Sequence, residues 1–519
     1  MTFDLPQILL DRLQCARRGR ILLVEPPATV LKSSLEGFRS EVVLDHPKYP
    51  LLLLSEDLRQ DGRFEGETRV LDLKAGPVES RPRGKIPYGP YELEAFEIGS
   101  SWLAVREDFA VADVIAITAN FAFERYGVAS VLDFSRRIAP GAVRIVGGHD
   151  ATAEPRWYLE AGAHICALGD GEGAIGSLIS LKEERGTTGI AYLSSGQLRR
   201  HGRRRSRTLR RDVLPSAVTV ARQASTQVGE GPLPKNVPMP IASIETSRGC
   251  EEACSFCDSS FISGAYRYLP LEAVSEYARD LATCGVKTLC FLDDNLLYRG
   301  LPRFGGSSER RALILFFDGL FEAGFSWSFY NGLQLSLLYG EQGPDLQLIE
   351  SLFRSFRGED GLVRGCFRCF LPVEKMTSEE IARLGKLLDF RRTLEVIACI
   401  AEQRVPELTI GFIIGDPSET YRRLEEIERQ SRGLGDTIRA RSSGRTEPRF
   451  FPFCSIPLPG TPDHSRFRSR IRYESALFPD LYGQYTSVIG SDELEPWDIC
   501  RERLRLDLSL NDQIRLNDI

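Results

Sequence analysis

The run Cys250-Glu251-Glu252-Ala253-Cys254-Ser255-Phe256-Cys257 places three thiols within eight residues, in a C-x3-C-x2-C spacing. Thiolates are soft ligands that suit iron–sulfur clusters. Three on one tight loop can hold three irons of a four-iron cluster and leave the fourth iron open to a small chelating ligand. A structural zinc site closes with four ligands, often two C-x2-C pairs or a Cys/His mixture. No His lies near this loop, and the next cysteine, Cys284, is well downstream. Disulfide frameworks belong to small secreted domains. The spacing therefore points to a cluster.

The loop follows an apolar run, 241–244, that reads as a short strand. Ile244-Glu245-Thr246-Ser247-Arg248-Gly249-Cys250, with Phe256-Cys257, resembles the cluster loop of the radical S-adenosylmethionine (SAM) superfamily. The resemblance implies a 4Fe-4S cluster on Cys250, Cys254 and Cys257. Its open iron would bind the amino and carboxylate groups of SAM, and its reduction would cleave SAM to a 5′-deoxyadenosyl radical. An external electron donor of flavodoxin or ferredoxin type is implied with it.

These thiols need a large scaffold, and 519 residues are enough for two or three domains. A hydrophobic fraction of 42% is ordinary for a globular chain. No apolar run reaches membrane-spanning length, so no membrane partner is expected. A net charge of −6 argues against nucleic acid as a partner. Met1-Thr2-Phe3-Asp4 lacks the basic flank and apolar core of a signal peptide, and twelve cysteines then imply a reducing, cytoplasmic setting.

The first domain is expected over 1–198. Ile21-Leu22-Leu23-Val24 reads as a strand ended by Glu25-Pro26-Pro27. Further strands are expected at 69–73, 111–118, 143–146 and 165–168, with a helix at 128–138. Strands alternating with helices mean a doubly wound, Rossmann-like α/β sheet, whose ligands sit at the carboxyl ends of the strands.

Val24-Glu25-Pro26-Pro27, Gly147-Gly148-His149-Asp150-Ala151-Thr152 and Gly169-Asp170-Gly171-Glu172-Gly173 resemble the loops of the cobalamin-binding domain found upstream of many radical SAM enzymes. The resemblance implies cobalamin held by Pro26, Pro27, Thr118, Asn120, Gly147, Gly148, His149, Gly169, Asp170, Gly171 and Glu172. The D-x-H-x-x-G motif that puts a His on cobalt is missing from this sequence. Cobalamin with its nucleotide tail displaced and no His on the metal is therefore implied.

Residues 56–109 carry four prolines beside Tyr88, Tyr91 and Trp102, too long a stretch for a plain connection. It reads either as an insertion over the cobalt or substrate face, or as a surface hairpin. The arginine-dense run 199–211 and the Pro-, Gly- and Ser-rich stretch after it form an expected linker, 199–238. Solvated linker edge is the preferred reading of the arginines; a dock for an acidic peptide is the alternative.

The catalytic domain is expected over 239–440 as a partial (β/α)6 radical SAM barrel. Strands are read at 287–292, 325–329, 366–371 and from 409, and helices at 271–284, 313–321 and 378–390. The resemblance assigns SAM contacts to Phe256, to Asp293 and Asp294, to Asn331 and Glu374, and to Gly411, Ile413 and Gly415 beside the adenine. Cys366 and Cys369 could form a second C-x2-C metal pair, but suit a strand with core thiols better. Residues 441–519 are expected to cap the barrel mouth, with a final helix near 498–508.

Taken together, the resemblance implies a cobalamin-dependent radical SAM methyltransferase acting on an unactivated carbon of a peptide or small natural product. One SAM would methylate cobalamin and a second would generate the radical. The same cofactors could instead drive a rearrangement, cyclisation or oxidation. A tRNA methylthiotransferase would need an extra N-terminal cluster, and only Cys15 and Cys166 precede the motif.

Overall fold

The computed structural model describes residues 5–33, 49–75, 77–180, 189–206, 209–223, 236–385 and 389–517. Much of the expected linker, 224–235, lies outside the described residues.

The first sheet is seven-stranded, with five neighbouring parallel strands in the order Glu67–Asp72, Arg20–Glu25, Val114–Thr118, Val143–Gly147, Ile165–Ala167. Ile190–Ser194 and Gln197–His201 extend it antiparallel. Side chains alternate across the pleat. Ile21 and Leu23 pack with Leu9, Leu51 and Leu178, whereas Leu22 and Val24 pack with Phe109, Val128 and Val131. Both faces are therefore covered by helices, as an apolar parallel sheet requires. By chain order the parallel strands run 2-1-3-4-5, so the progression reverses between Arg20–Glu25 and Val114–Thr118. The crevice outside that reversal is where such sheets take ligands.

The proline-bearing segment is a hairpin, Glu79–Tyr88 and Tyr91–Gly99, whose inner strand pairs with Ala28–Ser33. Pro82 and Pro87 are tolerated because Glu79–Tyr88 is an edge strand. Gly89, at φ +59°, makes the turn, and a Cβ there would lie 2.2 Å from the Trp497 ring. The hairpin thus docks on the tail, where Tyr88 and Leu93 share a core with Leu481, Tyr482, Val488 and Leu504. Trp102 packs on Phe109 and Phe134, inside the first domain.

The second sheet has six parallel strands in chain order: Ile241–Ile244, Thr288–Phe291, Ser326–Phe329, Val363–Glu374, Glu407–Ile414 and Glu447–Cys454. Among the described residues its first and last strands do not pair, so the barrel is open. Leu289, Trp327, Leu371, Ile410 and Phe450 point to the helical layer, with Phe317, Leu352, Ile397 and Ile427. Cys366 and Cys369 are fully buried in that same core, so both thiols act as packed small hydrophobes.

Two segments differ from expectation. The helix read over 378–390 ends at Arg383, because Gly385 takes φ +77° and breaks the turn; a new helix, Phe390–Glu402, begins on the Asp389 cap. The aromatic run at 449–453, read as a cap, is the sixth strand. The tail closes with helix Pro496–Asn517.

Tyr88 is 1% exposed; its hydroxyl donates to the Ser487 carbonyl at 2.7 Å and accepts the Ser487 N–H at 3.1 Å. Tyr88→Phe strands both groups and is expected to destabilise the chain by about 1–3 kcal/mol. The check is a lower urea midpoint with an unchanged m-value.

Candidate active site where the two sheets meet

The cluster loop begins at a two-residue ladder, Ser247–Arg248 against Arg267–Tyr268, which closes the chain on itself. Gly249 takes φ +91°, and a Cβ there would press on the Gly264 and Ala265 carbonyls at 2.9 and 2.8 Å. Its N–H donates to Asp294 Oδ2 at 2.7 Å, so the strand end at 294 positions the loop entry. Ser255 N–H donates to the Leu384 carbonyl and Asp463 N–H to the Ser255 carbonyl, tying the loop to the helix end and the tail. Cys254 is buried; Cys250 and Cys257 are half-buried, as is Phe256. Burial raises the Cys250 thiol and pushes Cys257 up to about 12, so a metal must displace their protons to bind. Among the described residues no three His, Cys, Asp or Glu side chains converge as the ligands of one metal ion would. Thiolates of a cluster each take a separate iron and need no such convergence.

Asp293 is 4% exposed and accepts from Thr246 Oγ1 at 2.7 Å and Ser247 Oγ at 2.5 Å. It therefore holds the loop entry, beside Asp294. Burial raises its pKa, against those hydrogen bonds. Asn295 is 3% exposed, and its Oδ1 has no hydrogen-bond partner among the described residues. Asn331 Nδ2 donates to the Leu292 carbonyl at 2.8 Å, drawing the ends of neighbouring strands together.

Glu374 ends its strand at φ +65°, and Lys375 N–H donates to the Val373 carbonyl at 2.8 Å. That is a γ-turn of positive φ, the rare and strained kind. Lys375, 2% exposed, braces it through Asp416 at 2.6 Å and Glu419 at 3.9 Å. Gly415, at φ +80°, donates its N–H to Glu419 Oε2, while Ile413 is 7% exposed. A Cβ at Gly411 would meet the Phe370 and Phe453 rings at 2.2 and 2.9 Å, so this glycine makes room for two of the protein's own rings.

On the first sheet's carboxyl edge, Thr118 Oγ1 donates to Glu25 Oε2 at 2.7 Å across the crevice. Lys74 pairs with Glu25 at 2.5 Å, and Asn120 N–H donates to Glu124. Pro26 and Pro27 leave from this point, with the Pro27 carbonyl against Gly127. Gly147 accepts the Ala119 N–H, and Gly148, at φ +122°, has the Ala119 carbonyl 2.5 Å from where its Cβ would lie. His149 Nδ1 lies 3.2 Å from Asp258 Oδ2, the residue after Cys257. The glycine-rich loop after Ile165–Ala167 is occupied by protein. A Cβ at Gly169 would meet the Arg204 carbonyl at 2.1 Å, and one at Gly171 would meet Leu54 at 2.9 Å. Asp170 takes Arg267 at 2.7 Å and the Ser206 N–H at 2.6 Å, and Glu172 takes Arg248 at 2.6 Å. The carboxyl edges of the two sheets therefore face each other, joined through the cluster loop.

No family model matches the chain. Its curated relatives include the ribosomal protein uS12 methylthiotransferase RimO of Sulfurihydrogenibium sp., 26% identical over 197 residues. That match covers 37% of this chain and 41% of the relative. A tRNA-2-methylthio-N(6)-dimethylallyladenosine synthase of Paracoccus denitrificans is 25% identical over 254 residues, 48% of this chain and 50% of that one. The chain thus spans about two fifths to one half of the length of these relatives. Two solved structures align far more widely. The cobalamin-dependent SAM radical enzyme OxsB, with aqua-cobalamin bound, superposes at TM-score 0.61 and 15% identity over 89% of this chain and 64% of that one. The radical SAM methyltransferase TsrM of Kitasatospora setae, with cobalamin and a [4Fe-4S] cluster bound, superposes at 0.58 and 17% over 87% and 78%. The chain has the fold of the cobalamin-dependent radical SAM enzymes.

Within that fold, sequence reasoning missed the joint. The pairs Arg248–Glu172, Arg267–Asp170 and Lys375–Asp416 carry no spacing signal, because their members are distant in the chain. The arginine run is largely engaged. Arg200 donates to the Thr152 carbonyl, Arg204 to Ser177, and Arg210 and Arg211 pair with Asp212 and Glu276.

Burial lowers the His149 pKa, but Asp258 and Asp294 outweigh it and the net shift is upward from 6.5. A raised folded value stabilises the fold fully below 6.5 and loses that contribution as pH rises through the folded value. In the metal-free protein, the thermal midpoint of wild type relative to His149→Gln should therefore fall as pH is raised past 6.5. A pH-independent difference would remove His149 from the joint.

Proposed function

We propose that this chain is a cobalamin-dependent radical SAM methyltransferase that methylates an unactivated carbon of a peptide or small natural product. The observation that carries the reading is the meeting of the three-thiol loop with the first sheet's carboxyl edge, at His149–Asp258 and Arg248–Glu172. Methyl transfer through two cofactors needs both within reach of one substrate carbon, and facing strand ends supply that geometry.

In this reading Cys250, Cys254 and Cys257 hold a 4Fe-4S cluster. The orphaned, buried Asn295 Oδ1 and the Asp294 carboxylate fit the amino group of SAM, which donates hydrogen bonds and carries positive charge. Asn331, Glu374 and the strand Glu407–Ile414 line the same mouth. The corrin is placed over the carboxyl ends of Arg20–Glu25 and Val114–Thr118, with Pro26, Pro27, Asn120 and residues 147–149 around it. The loop at 169–173 is taken up by Arg204, Arg248 and Arg267. The stacked pair Phe121–Phe123, with Phe121 41% exposed, adds an apolar surface beside Asn120. When bound, the cluster supplies the electron that cleaves SAM, and cobalamin carries the methyl group. The chain's own residues orient these groups and keep water out, and a flavodoxin- or ferredoxin-type protein delivers the electron.

Methylthio transfer is the activity named for the curated relatives, but the first domain offers little for a second cluster. Cys15 is exposed at a helix end and Cys166 is sealed in the core.

Reconstitution with iron, sulfide and hydroxocobalamin under anaerobic conditions tests the reading. Wild type is expected to take up both cofactors, and Cys254→Ala to lose the cluster's broad visible absorbance while keeping the corrinoid. Cluster absorbance retained in Cys254→Ala refutes the ligand assignment. Asp294→Ala should weaken SAM binding about tenfold, the worth of one charged hydrogen bond, and leave corrinoid affinity unchanged. S-adenosylhomocysteine formed beside 5′-deoxyadenosine identifies methyl transfer; 5′-deoxyadenosine alone identifies the rearrangement or oxidation chemistry instead.

A further inference from the structure

Tyr298 reaches the cluster loop from a different part of the chain. It sits on the turn Leu296–Gly300, after the strand that ends at Phe291. Its ring is 2% exposed and is fixed edge-on against Tyr266, with centroids 5.4 Å apart, and stacked on Phe304 at 6.5 Å. Its hydroxyl lies between two acids of the loop. It donates to Glu252 Oε1 at 2.9 Å, and it accepts from the Cys250 thiol at 3.8 Å.

The second contact depends on what Cys250 is. A thiol has a proton to give; a thiolate bound to iron has none and can only accept. Once Cys250 is a ligand, a hydrogen bond across this 3.8 Å contact exists only if the phenol supplies the proton. A phenol has one proton, so the thiolate and the Glu252 carboxylate compete for it. A phenol of ordinary acidity, with a pKa of about 10, keeps its proton at neutral pH and is free to act as the donor. Hydrogen bonds to the sulfurs of an iron–sulfur cluster, like burial and net charge, set its reduction potential. A donor to the sulfur offsets the extra negative charge of the reduced cluster, and so favours reduction.

We infer that Tyr298 is a positioning residue that sets the reduction potential of the cluster by donating to Cys250 Sγ, in competition with Glu252. The inference rests on the cluster assignment proposed above. It concerns how readily the cluster takes its electron, a step that precedes any substrate chemistry.

The experiment is a reductive titration of the reconstituted full-length chain, read by electron paramagnetic resonance of the reduced cluster. Tyr298→Phe keeps the ring and its packing and removes only the donor. It should load the cluster as wild type does, yet give about tenfold less reduced cluster at a fixed solution potential, a midpoint ~59 mV more negative for one electron. Glu252→Ala releases the phenol to the sulfur and removes a nearby negative charge, so its midpoint should move in the positive direction. That move should shrink in the Tyr298→Phe background, where there is no phenol to release. A loaded Tyr298→Phe with an unchanged midpoint overturns the inference and leaves the cluster assignment standing. So does a Glu252→Ala shift of equal size in both backgrounds. A wild-type chain that takes up no cluster overturns the assignment and the inference together.

Discussion

Arg248 stands two residues before the first thiol of the cluster loop, and its mostly buried guanidinium joins carboxylates of both sheets. It pairs with Glu245 at the end of its own strand and with Glu172 on the first domain's glycine-rich loop. Arg267, its neighbour across the short ladder, takes Asp170. Removing such charges from water costs several kcal/mol per ion, so they persist only where geometry and hydrogen bonds offset the cost. The Arg248–Glu245 pair is bidentate, and burial still raises the Glu245 pKa against its arginine partner. The gain lies in register more than in stability: the cluster loop can sit in one way against the first sheet.

Much else follows from that constraint. With the joint set, His149 lies by Asp258, so the carboxyl edge of the first sheet stands on the side of the molecule that carries the thiols. The proline-bearing hairpin has a supporting part. It closes on the tail through Tyr88, and the tail returns to the loop through Asp463. Among the described residues the second sheet stays open, and the face away from its helical layer mixes apolar and polar side chains. Ser243, Ser328 and the Arg368–Glu407 pair lie there beside Ile241, Cys290, Val363 and Phe367.

Strain and buried charge are gathered at the mouth of this sheet. The positive φ at Glu374 would relax without its brace, and the brace is a lysine almost wholly out of water. Backbone held in sparsely populated regions persists only when its surroundings over-determine it, and such positions cluster where groups must be aimed. The ions Lys375, Asp416 and Glu419 supply that over-determination from the ends of two neighbouring strands.

Local patterns in the chain already contained the parallel strands of the first sheet and the first five of the second, because pleat alternation and apolar runs are properties of adjacent residues; Ile190–Ser194, Gln197–His201 and Glu447–Cys454 were not legible in them. They contained the thiol loop as well, since a ligand set packed into eight residues is a local fact. The glycines were visible but their partners were not. Gly411 and Gly169 read as ligand contacts, and the side on which a Cβ would stand is taken by Phe370, Phe453 and Arg204. The proline-rich segment showed its length but not the strand at Ala28–Ser33 that completes it, because strand pairing is a contact across more than sixty residues.

By itself, then, the order of residues determined two α/β layers and a soft-metal loop at the start of the second. Only the folded chain decided which charges that loop would meet. Arg248, Arg267, Tyr298 and Lys375 acquire their roles from side chains brought together across tens of residues. Electrostatic and hydrogen-bonding interactions at that range depend on distance and exclusion of water, neither of which is written in the local sequence.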